Sequence, residues 1–518
     1  MAAVALAAIL LTACPARSGA PDGRVRIALR PPSALDPVFI RDTSGLLVAA
    51  QIFEPLVRVD PRTGGLKPAL ASSWKVLDGG RRFRFRIRKG AKFHDGKPVT
   101  AEDVRFSLNR LARKATGSDA GFLLDSVAGF EKVNVTGEAP DLEGVAAINS
   151  RTLEITLGAP WHDFLYVLTN LATAPVPKAD AEPDPKGIGA RPVGSGPYRL
   201  KNTFRRGSDL TLERFDGYAG VQPRTDTVEL QVFERPEAAW RAFDDLRSVD
   251  VTQVPPERIE VAEAKYGAAG FSPLAAGLYL SFNLANPKFA DPRLREAVSL
   301  AIDREAISRL VYAGSIVPAD GIVPAGVPGR RDQVCGNLCG QNQSRARRLI
   351  DRAFPDGPPA LAYDYPAGVA DEGVAQSLKT SLREVGVRVR LRPRERELHA
   401  FLDLLSAGGH EMFRVAWPAE YPLADWFLNP LFRSGSPDNH IAFASPKIDE
   451  LLAGARAEKD PQRRVRLYRQ IEAAMMKQVV LIPIGFFRNR YAASPRVGGF
   501  YVDSVGVFEV GSLELNGS

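Results

Sequence analysis

The chain has 518 residues, of which 45% are apolar and 25% are charged, and its formal net charge is +8. This length is ample for a large core and predicts roughly three domains. The positive charge alone would suit an anionic partner such as nucleic acid, but no long Lys/Arg run occurs, and acidic residues are interleaved with the basic ones. We therefore expect no binding to nucleic acid.

The first residues indicate the compartment. The stretch MAAVALAAILLTAC is too short to cross a membrane and is typical of the apolar region of a signal peptide. Its last four residues, Leu11 to Cys14, resemble the lipobox of bacterial lipoproteins, which implies a signal peptide at 1–14 and a lipid anchor on Cys14. No Lys or Arg precedes the run, so either the leader is atypical or the true start lies upstream. The alternative is an ordinary secretory signal cut near Ala20.

No second apolar run approaches membrane-spanning length, so we expect a soluble body on the extracytoplasmic face of the membrane. Its first strand is predicted at Val25 to Arg30. The stretch RRFRFRIRKG alternates Arg with Phe and Ile, which is typical of a half-buried strand with a solvated cationic face. In HDGKPVTAEDVRFSLNRL a turn precedes a helix, for which Thr100 is the predicted N-cap.

The middle of the chain continues this alternation of strands and helices. The glycines of RPVGSGPYRL would suit a phosphate cradle, but the Lys and Ser/Thr of the nucleotide motif are missing, which favours a tight turn. A strand, a loop and a helix follow, with Asp291 as the predicted N-cap and Pro292 at the first helical position. Two more amphipathic helices and two more strands are predicted downstream. This order predicts α/β layers.

The chain contains two cysteines besides Cys14. Cys335 and Cys339 lie in RRDQVCGNLCGQNQ, a loop rich in Gly, Asn and Gln. In an oxidising compartment we expect them to form a local disulfide. A metal site would need further ligands, and none of the five histidines is near in sequence, so no metal or other cofactor is predicted.

The stretch MFRVAWPAEYPLADWF, from Met412 to Phe427, begins as a strand. A period of two puts Phe413, Val415 and Trp417 on one face, and Arg414, Ala416, Pro418 and Glu420 on the other. A cation and a carboxylate on one face, with a proline between them, suit a plain sheet interior badly. These charges need an explanation beyond core packing.

Six motifs in the right order resemble those of one family, the peptide- and nickel-binding group of solute-binding proteins for ABC transporters. The resemblance covers the chain from about Val25 to about Phe508. Each motif alone is weak, but the ordered set is specific. The motifs are LDP (Leu35 to Pro37), FEPLV (Phe53 to Val57), KPALASSW (Lys67 to Trp74), RKGAKFHDGKPVTAEDVRFSL (Arg88 to Leu108), PVGSGPY (Pro192 to Tyr198) and DPRLREAVSLAIDREAI (Asp291 to Ile307).

The resemblance implies an α/β type II periplasmic-binding-protein fold. In such a fold two lobes joined by a hinge close on a ligand, and an extra α/β domain is attached to the first lobe. Chain crossings near Gly277 and Pro483 would form the hinge. The implied ranges are 24–57, 193–277 and 485–518 for lobe I, 58–192 for the extra domain, and 278–484 for lobe II.

The resemblance also implies ligand contacts on the second lobe. Glu420 occupies the place of the acidic residue, usually Asp, that holds the α-ammonium group of a peptide. Arg414 matches an arginine that reaches the carboxylate end of a short peptide. Trp417 matches a tryptophan at the pocket wall, and Tyr279 matches a cleft tyrosine on the strand that leaves the hinge.

Across the cleft, Arg41, Asp42 and Thr43 align with the segment of the first lobe that hydrogen-bonds the ligand main chain. The implied binding mode is strand addition, in which backbone bonds give affinity and buried charges fix the ends. Two departures from the family pattern bear on the ligand. Glu420 is one methylene longer than Asp, and Pro418 stands where peptide binders use a backbone N–H.

The function implied is that of a monomeric receptor, anchored to the membrane by lipid, that delivers a short peptide to an ABC permease. Opines, oligosaccharides and metal chelates stay open as ligands, the last because His410 and His440 flank the strand. A sensory lipoprotein on the same fold is a further alternative. A hydrolase is disfavoured, because VGSGP has Val193 where Gly-x-Ser-x-Gly needs glycine, and HEMFR has Arg414 where a zinc protease needs its second histidine.

Overall fold

The computed structural model describes residues 23–61, 63–184, 187–395 and 397–516. The predicted signal peptide and Cys14 lie outside the described residues. Within the described ranges, no helix is both long enough and apolar enough to span a bilayer.

The secondary structure alternates between strands and helices along the described chain. The strands are β1 (Arg24–Leu29), β2 (Val57–Val59), β3 (Leu66–Pro68), β4 (Ala71–Leu77), β5 (Arg82–Ile87), β6 (Val145–Asn149), β7 (Thr152–Thr156), β8 (Tyr198–Leu200), β9 (Leu210–Arg214), β10 (Thr227–Val232), β11 (Val251–Gln253), β12 (Pro273–Phe282), β13 (Ile316–Pro318), β14 (Leu361–Pro366), β15 (Val389–Arg394), β16 (Met412–Pro418), β17 (Leu481–Arg488), β18 (Tyr491–Ala493), β19 (Val497–Gly498) and β20 (Glu514–Leu515). The α-helices are α1 (Thr43–Ile52), α2 (Ala101–Ala112), α3 (Lys178–Ala181), α4 (Pro236–Asp244), α5 (Ile259–Tyr266), α6 (Pro292–Ala301), α7 (Arg304–Ala306), α8 (Gln343–Ala353), α9 (Val369–Glu384), α10 (Leu398–Ser406), α11 (Ala424–Phe432), α12 (Pro446–Ala457) and α13 (Pro461–Gln478).

Three sheets carry the architecture. The first sheet has the strand order β18-β11-β1-β10-β9-β8, the second has β13-β17-β12-β16-β14-β15, and the third has β4-β5-β7-β6. The two six-stranded sheets are mixed, since β1 is parallel to β10 and β14 is parallel to β15, whereas the neighbours of β12 are antiparallel to it. The predicted α/β class is confirmed.

The predicted helix caps and the predicted alternation of buried and exposed residues in a strand are confirmed. Thr100 caps α2: its hydroxyl accepts the Asp103 N–H, and the Asp103 carboxylate accepts the Thr100 N–H at 2.9 Å, which forms a capping box. Asp291 caps α6, and Pro292 opens that helix. In β5 the apolar residues are buried and the arginines between them lie towards solvent, as the alternation predicts.

The chain passes from the first sheet to the second through residues 254–272 and returns through residues 489–490. The two passages are bonded to each other, because the Asn489 N–H donates to the Ser272 carbonyl at 2.9 Å and the Asn489 amide donates to the Ser272 hydroxyl at 3.0 Å. Gly277 and Pro483, the expected crossing points, lie inside β12 and β17, so the crossing itself is a few residues away from them.

Candidate functional site

A cleft of about 2090 Å³ is lined by parts of the chain that are far apart in sequence. The lining residues are drawn mainly from five stretches, 37–68, 119–135, 161–172, 397–441 and 487–514. A large cavity at which several structural units converge is the usual place for a small-molecule site.

Strand β16 presents an unpaired edge in this cleft. β12 pairs with β16 from Met412 to Pro418, whereas β14 pairs with it only at Met412 and Phe413, so residues 414–418 have a strand neighbour on one side only among the described strands. The Ala419 N–H donates to the Ala275 carbonyl of β12 at 2.7 Å. Because bonding alternates in an antiparallel pair, the main-chain groups of residues 414, 416 and 418 are directed to the unpaired edge.

Pro418 removes one hydrogen-bonding position from this edge. It has no N–H, and its carbonyl accepts a hydrogen bond of 2.7 Å from the indole of Trp426. Pro418 therefore offers no free main-chain group to a ligand, and Ala416 is the nearest position on the edge that has both an N–H and a carbonyl.

The two faces of β16 differ as the sequence predicts. Phe413, Val415 and Trp417 pack against the largest apolar core. Arg414 lies on the other face, where its Nε is 2.7 Å from a carboxylate oxygen of Asp371 in the first turn of α9. Both side chains are mostly buried, so the Arg414 charge is already balanced within the protein.

Glu420 lies beyond β16, which ends at Pro418, so Glu420 and Arg414 do not share a strand face. The side-chain amide of Asn170 donates to the Glu420 carboxylate at 2.8 Å and to the Glu420 carbonyl at 3.0 Å. Burial raises the pKa of Glu420, and the hydrogen bond from Asn170 opposes this rise. Glu420 lines the cleft and has no ion-pair partner among the described residues.

An aromatic stack lines the cleft beside β16. The ring of Trp426 is stacked on Trp417 at a centroid distance of 5.3 Å and on Phe122 at 5.6 Å. The Trp417 indole also donates to the Trp426 carbonyl at 2.9 Å. Phe122 comes from a region far away in sequence, and its side chain is substantially exposed. The stack provides a rigid apolar wall for a ligand.

A buried ion pair supports this wall from behind. Asp425, next to Trp426 in α11, accepts two hydrogen bonds from Arg456 at 2.9 and 2.7 Å and one from the Tyr468 hydroxyl at 3.0 Å. The Asp425 side chain is fully buried. The Asp425 carboxylate raises the pKa of Arg456 against the effect of burial, and Arg456 lies over the ring of Trp161 at 4.1 Å.

The predicted residues of the opposite wall also line the cleft. Arg41 forms an ion pair of 2.5 Å with Asp119, and both side chains are exposed, so the pair is weak enough to open for a ligand. Asp42 is the N-cap of α1 and accepts the N–H groups of Gly45 and Ser33, each at 2.8 Å. Thr43 is the first residue of α1.

Tyr279 does not lie among the residues that line the cleft. Its side chain is buried in the core, and its hydroxyl donates to the Ile322 carbonyl at 2.5 Å. Burial raises the pKa of this hydroxyl well above its ordinary value. Tyr279 thus braces β12 against the loop at Ile322.

Cys335 and Cys339 are joined by a disulfide, as the sequence predicts. The described residues contain no group of three or more His, Cys, Asp or Glu side chains arranged to hold a metal ion. The disulfide and the cleft are separate features, since neither cysteine lines the cleft.

Asp503 connects the cleft to the two chain crossings. Its carboxylate accepts the N–H groups of Val505 at 3.0 Å and Val507 at 2.8 Å, and its carbonyl accepts a bond from the Asn489 amide. Burial raises the pKa of Asp503 from its ordinary 3.8 to about 6. Between these values the folded protein binds a proton that the unfolded chain lacks, so protonated Asp503 contributes stability that is lost as pH rises through about 6.

We therefore expect Asp503→Asn to lose the part of the pH dependence of stability that this carboxyl supplies. Thermal denaturation from pH 4 to pH 8 gives the unfolding midpoints of parent and variant. The midpoint of the parent should fall relative to that of the variant as pH rises, and the difference should become constant above about pH 7. A difference that does not change across this range would show that Asp503 titrates normally.

The two lobes, the chain crossings between them and the cleft are those of a solute-binding protein. A family model described as bacterial extracellular solute-binding proteins, family 5 Middle, matches residues 65–439. This is more than half of the chain, and the chain belongs to that family. It binds a solute on behalf of an ABC transporter.

Similar proteins cover almost the whole chain. The probable deoxycholate-binding periplasmic protein YgiS of Escherichia coli K12 is 30% identical over 485 residues, which are 90% of this chain and 89% of that protein. The glutathione-binding protein GsiB of Salmonella typhimurium is 26% identical over 482 residues, 91% of this chain and 90% of that protein. The structure of the Escherichia coli murein tripeptide binding protein MppA matches with a TM-score of 0.74 and 25% identity, over 95% of this chain and 98% of that one.

Proposed function

We propose that the protein is a monomeric, lipid-anchored receptor that binds a short peptide or peptide-like molecule at the unpaired edge of β16 and delivers it to the membrane subunits of an ABC permease. It performs no catalysis. The observation that carries the proposal is the unpaired main-chain edge of β16 at residues 414 and 416 in the cleft. An extended peptide can add to such an edge as a further strand. Relatives that bind glutathione and a murein tripeptide support this ligand class.

Three groups of residues are proposed to contact the ligand. Glu420 holds an ammonium group, Trp417 and its stacked neighbours contact apolar parts, and Arg41 with the start of α1 closes from the opposite wall. We also propose a division into domains: lobe I at 24–57, 193–277 and 485–518, an extra domain at 58–192, and lobe II at 278–484. Two observations support it: the third sheet lies within the extra domain, and most of the second sheet lies within lobe II.

A second candidate is an amphipathic non-peptide with fused rings and a carboxylate. Two features favour it: Pro418 leaves the edge of β16 one hydrogen bond short, and the stack of Trp417, Trp426 and Phe122 offers a flat apolar surface. The relative named for deoxycholate binding is consistent with such a ligand.

A thermal-shift screen separates the two candidates. Ligand at about 100 times its Kd stabilises a protein by about 2.7 kcal/mol, which raises the unfolding midpoint measurably. Di- and tripeptides should raise the midpoint if the first proposal is right, and bile acids alone should raise it if the second is right. A screen in which neither class raises the midpoint would contradict both.

Pro418→Ser restores the missing N–H on the edge of β16. One additional hydrogen bond is worth about 0.5–1.5 kcal/mol, so the affinity for a main-chain peptide such as trialanine should rise about two- to tenfold. Affinity for a bile acid should not rise, because it has no peptide carbonyl in register with the strand. Calorimetry on parent and variant measures both, and an equal gain for both ligands would argue against strand addition.

A further inference from the structure

Burial lowers the pKa of three arginines in the described part of the chain: Arg295, Arg304 and Arg490. A guanidinium group carries five N–H donors and is always charged in practice. When such a group is withdrawn from water, its donors need acceptors. The three arginines differ in whether the protein supplies them.

Arg295 and Arg304 are well provided with acceptors. Arg304 donates to the Pro483 carbonyl at 2.7 Å, the Ser299 carbonyl at 3.1 Å and the Ser299 hydroxyl at 3.0 Å. Arg295 donates to three main-chain carbonyls. Neither residue lines the cleft. Their role is to hold the second sheet and its helices together.

Arg490 is only partly buried, and the described residues supply its guanidinium group with few acceptors. It directly precedes β18, and the one hydrogen bond that its guanidinium group makes within the described structure runs from Nη1 to the Val254 carbonyl at 2.8 Å. The carboxylate of Glu257 acts on it without forming an ion pair. Arg490 lines the cleft, as does Gln253, whose side-chain amide makes no hydrogen bond among the described residues.

Several other cleft arginines have carboxylate partners, whereas Arg88 and Arg433 donate only to carbonyl and amide oxygens of the protein. Arg414 is paired with Asp371, Arg456 with Asp425, and Arg488 with Glu263 at 2.8 Å. Arg490 lines the same cleft and has no carboxylate within ion-pair distance among the described residues. Arg490 also follows Asn489, which bonds the two chain crossings, so a group bound there lies beside the hinge.

We propose that Arg490 binds a carboxylate of the ligand, and that the natural ligand is therefore an acid. The planar guanidinium fork matches a carboxylate with two parallel hydrogen bonds. This role was expected for Arg414, but the structure balances that charge with Asp371. The inference rests on the proposed function, because it requires a ligand in this cleft.

Matched pairs of probes that differ in one carboxylate test the inference. The pairs are trialanine with trialaninamide and deoxycholate with its methyl ester, and calorimetry gives the Kd of each for the parent and for Arg490→Gln, Arg490→Lys and Arg224→Gln. Arg224 is a matched control, because it lines the cleft but is exposed and already paired with Glu514. Thermal denaturation shows that each variant is folded.

For at least one pair, the acid should bind the parent about tenfold or more tighter than its neutral counterpart. That preference should disappear in Arg490→Gln, persist in part in Arg490→Lys, and be unchanged in Arg224→Gln. Equal binding of acid and neutral probe by the parent, or an unchanged preference in Arg490→Gln, would overturn the role of Arg490 and leave the receptor intact. Binding of no probe at all would overturn the proposed ligand classes, and the role of Arg490 with them.

Discussion

Replacing Asp425 with alanine is expected to lower the free energy of unfolding by about 3–5 kcal/mol, because it leaves the Arg456 guanidinium buried without its carboxylate. The Asp425 side chain is fully buried and accepts two bonds from Arg456 and one from Tyr468. Urea denaturation monitored by circular dichroism measures the change.

Glu143→Ala is the control for this experiment. Glu143 forms an ion pair with Lys132 at 2.9 Å, but both side chains are exposed, 60% for Glu143 and 59% for Lys132. Exposed pairs contribute about 0–1 kcal/mol, so this variant should be almost as stable as the parent. If Asp425→Ala lost no more than the control, the ion pair behind the aromatic wall would not be a structural support.

Glu420→Gln is expected to weaken the binding of an amine-bearing ligand at least about tenfold. Loss of one partner of a desolvated charge pair costs about 2–5 kcal/mol, and each 1.4 kcal/mol is about a factor of ten. Glutamine keeps an oxygen that can accept the bond from Asn170, so the variant removes the charge and preserves the contact. Calorimetry with trialanine measures the loss.

Two comparisons make the Glu420 result specific. N-acetyl-trialanine has no ammonium group and should lose little affinity on the same substitution. Glu514→Gln removes a negative charge from the cleft lining at an exposed side chain paired with Arg224, and it should leave the Kd for trialanine nearly unchanged. If Glu420→Gln bound trialanine as tightly as the parent, Glu420 would not be the ammonium site, and a neutral ligand would become the better candidate.

Periodicity and capping signals are local, and for that reason the sequence predicts them well. The alternation in β16 depends only on the pleat of one strand, and the caps of α2 and α6 depend on residues within one turn. The limits of such signals show at Glu420. The period of two holds only as far as Pro418, where β16 ends. The prediction that Glu420 shares a strand face with Arg414 is therefore wrong.

Partners from distant parts of the chain left no signal in a single sequence. Asp371 lies in α9, Asn170 precedes β16 by about 240 residues, and Phe122 reaches Trp426 from another part of the molecule. Arg490 was missed for a related reason, since a shortage of acceptors is visible only when the surrounding structure is known. Tyr279 lies on the predicted strand, but the face to which it points is set by the neighbouring strands.

The central claim is that two lobes close on a solute held in the cleft between them. Small-angle X-ray scattering on the protein, with and without a saturating concentration of the tightest ligand from the thermal-shift screen, tests it most directly. Ligand should lower the radius of gyration by rigid-body closure, because the closed form has the higher affinity. An unchanged radius of gyration at a ligand concentration shown by calorimetry to be saturating would contradict the claim.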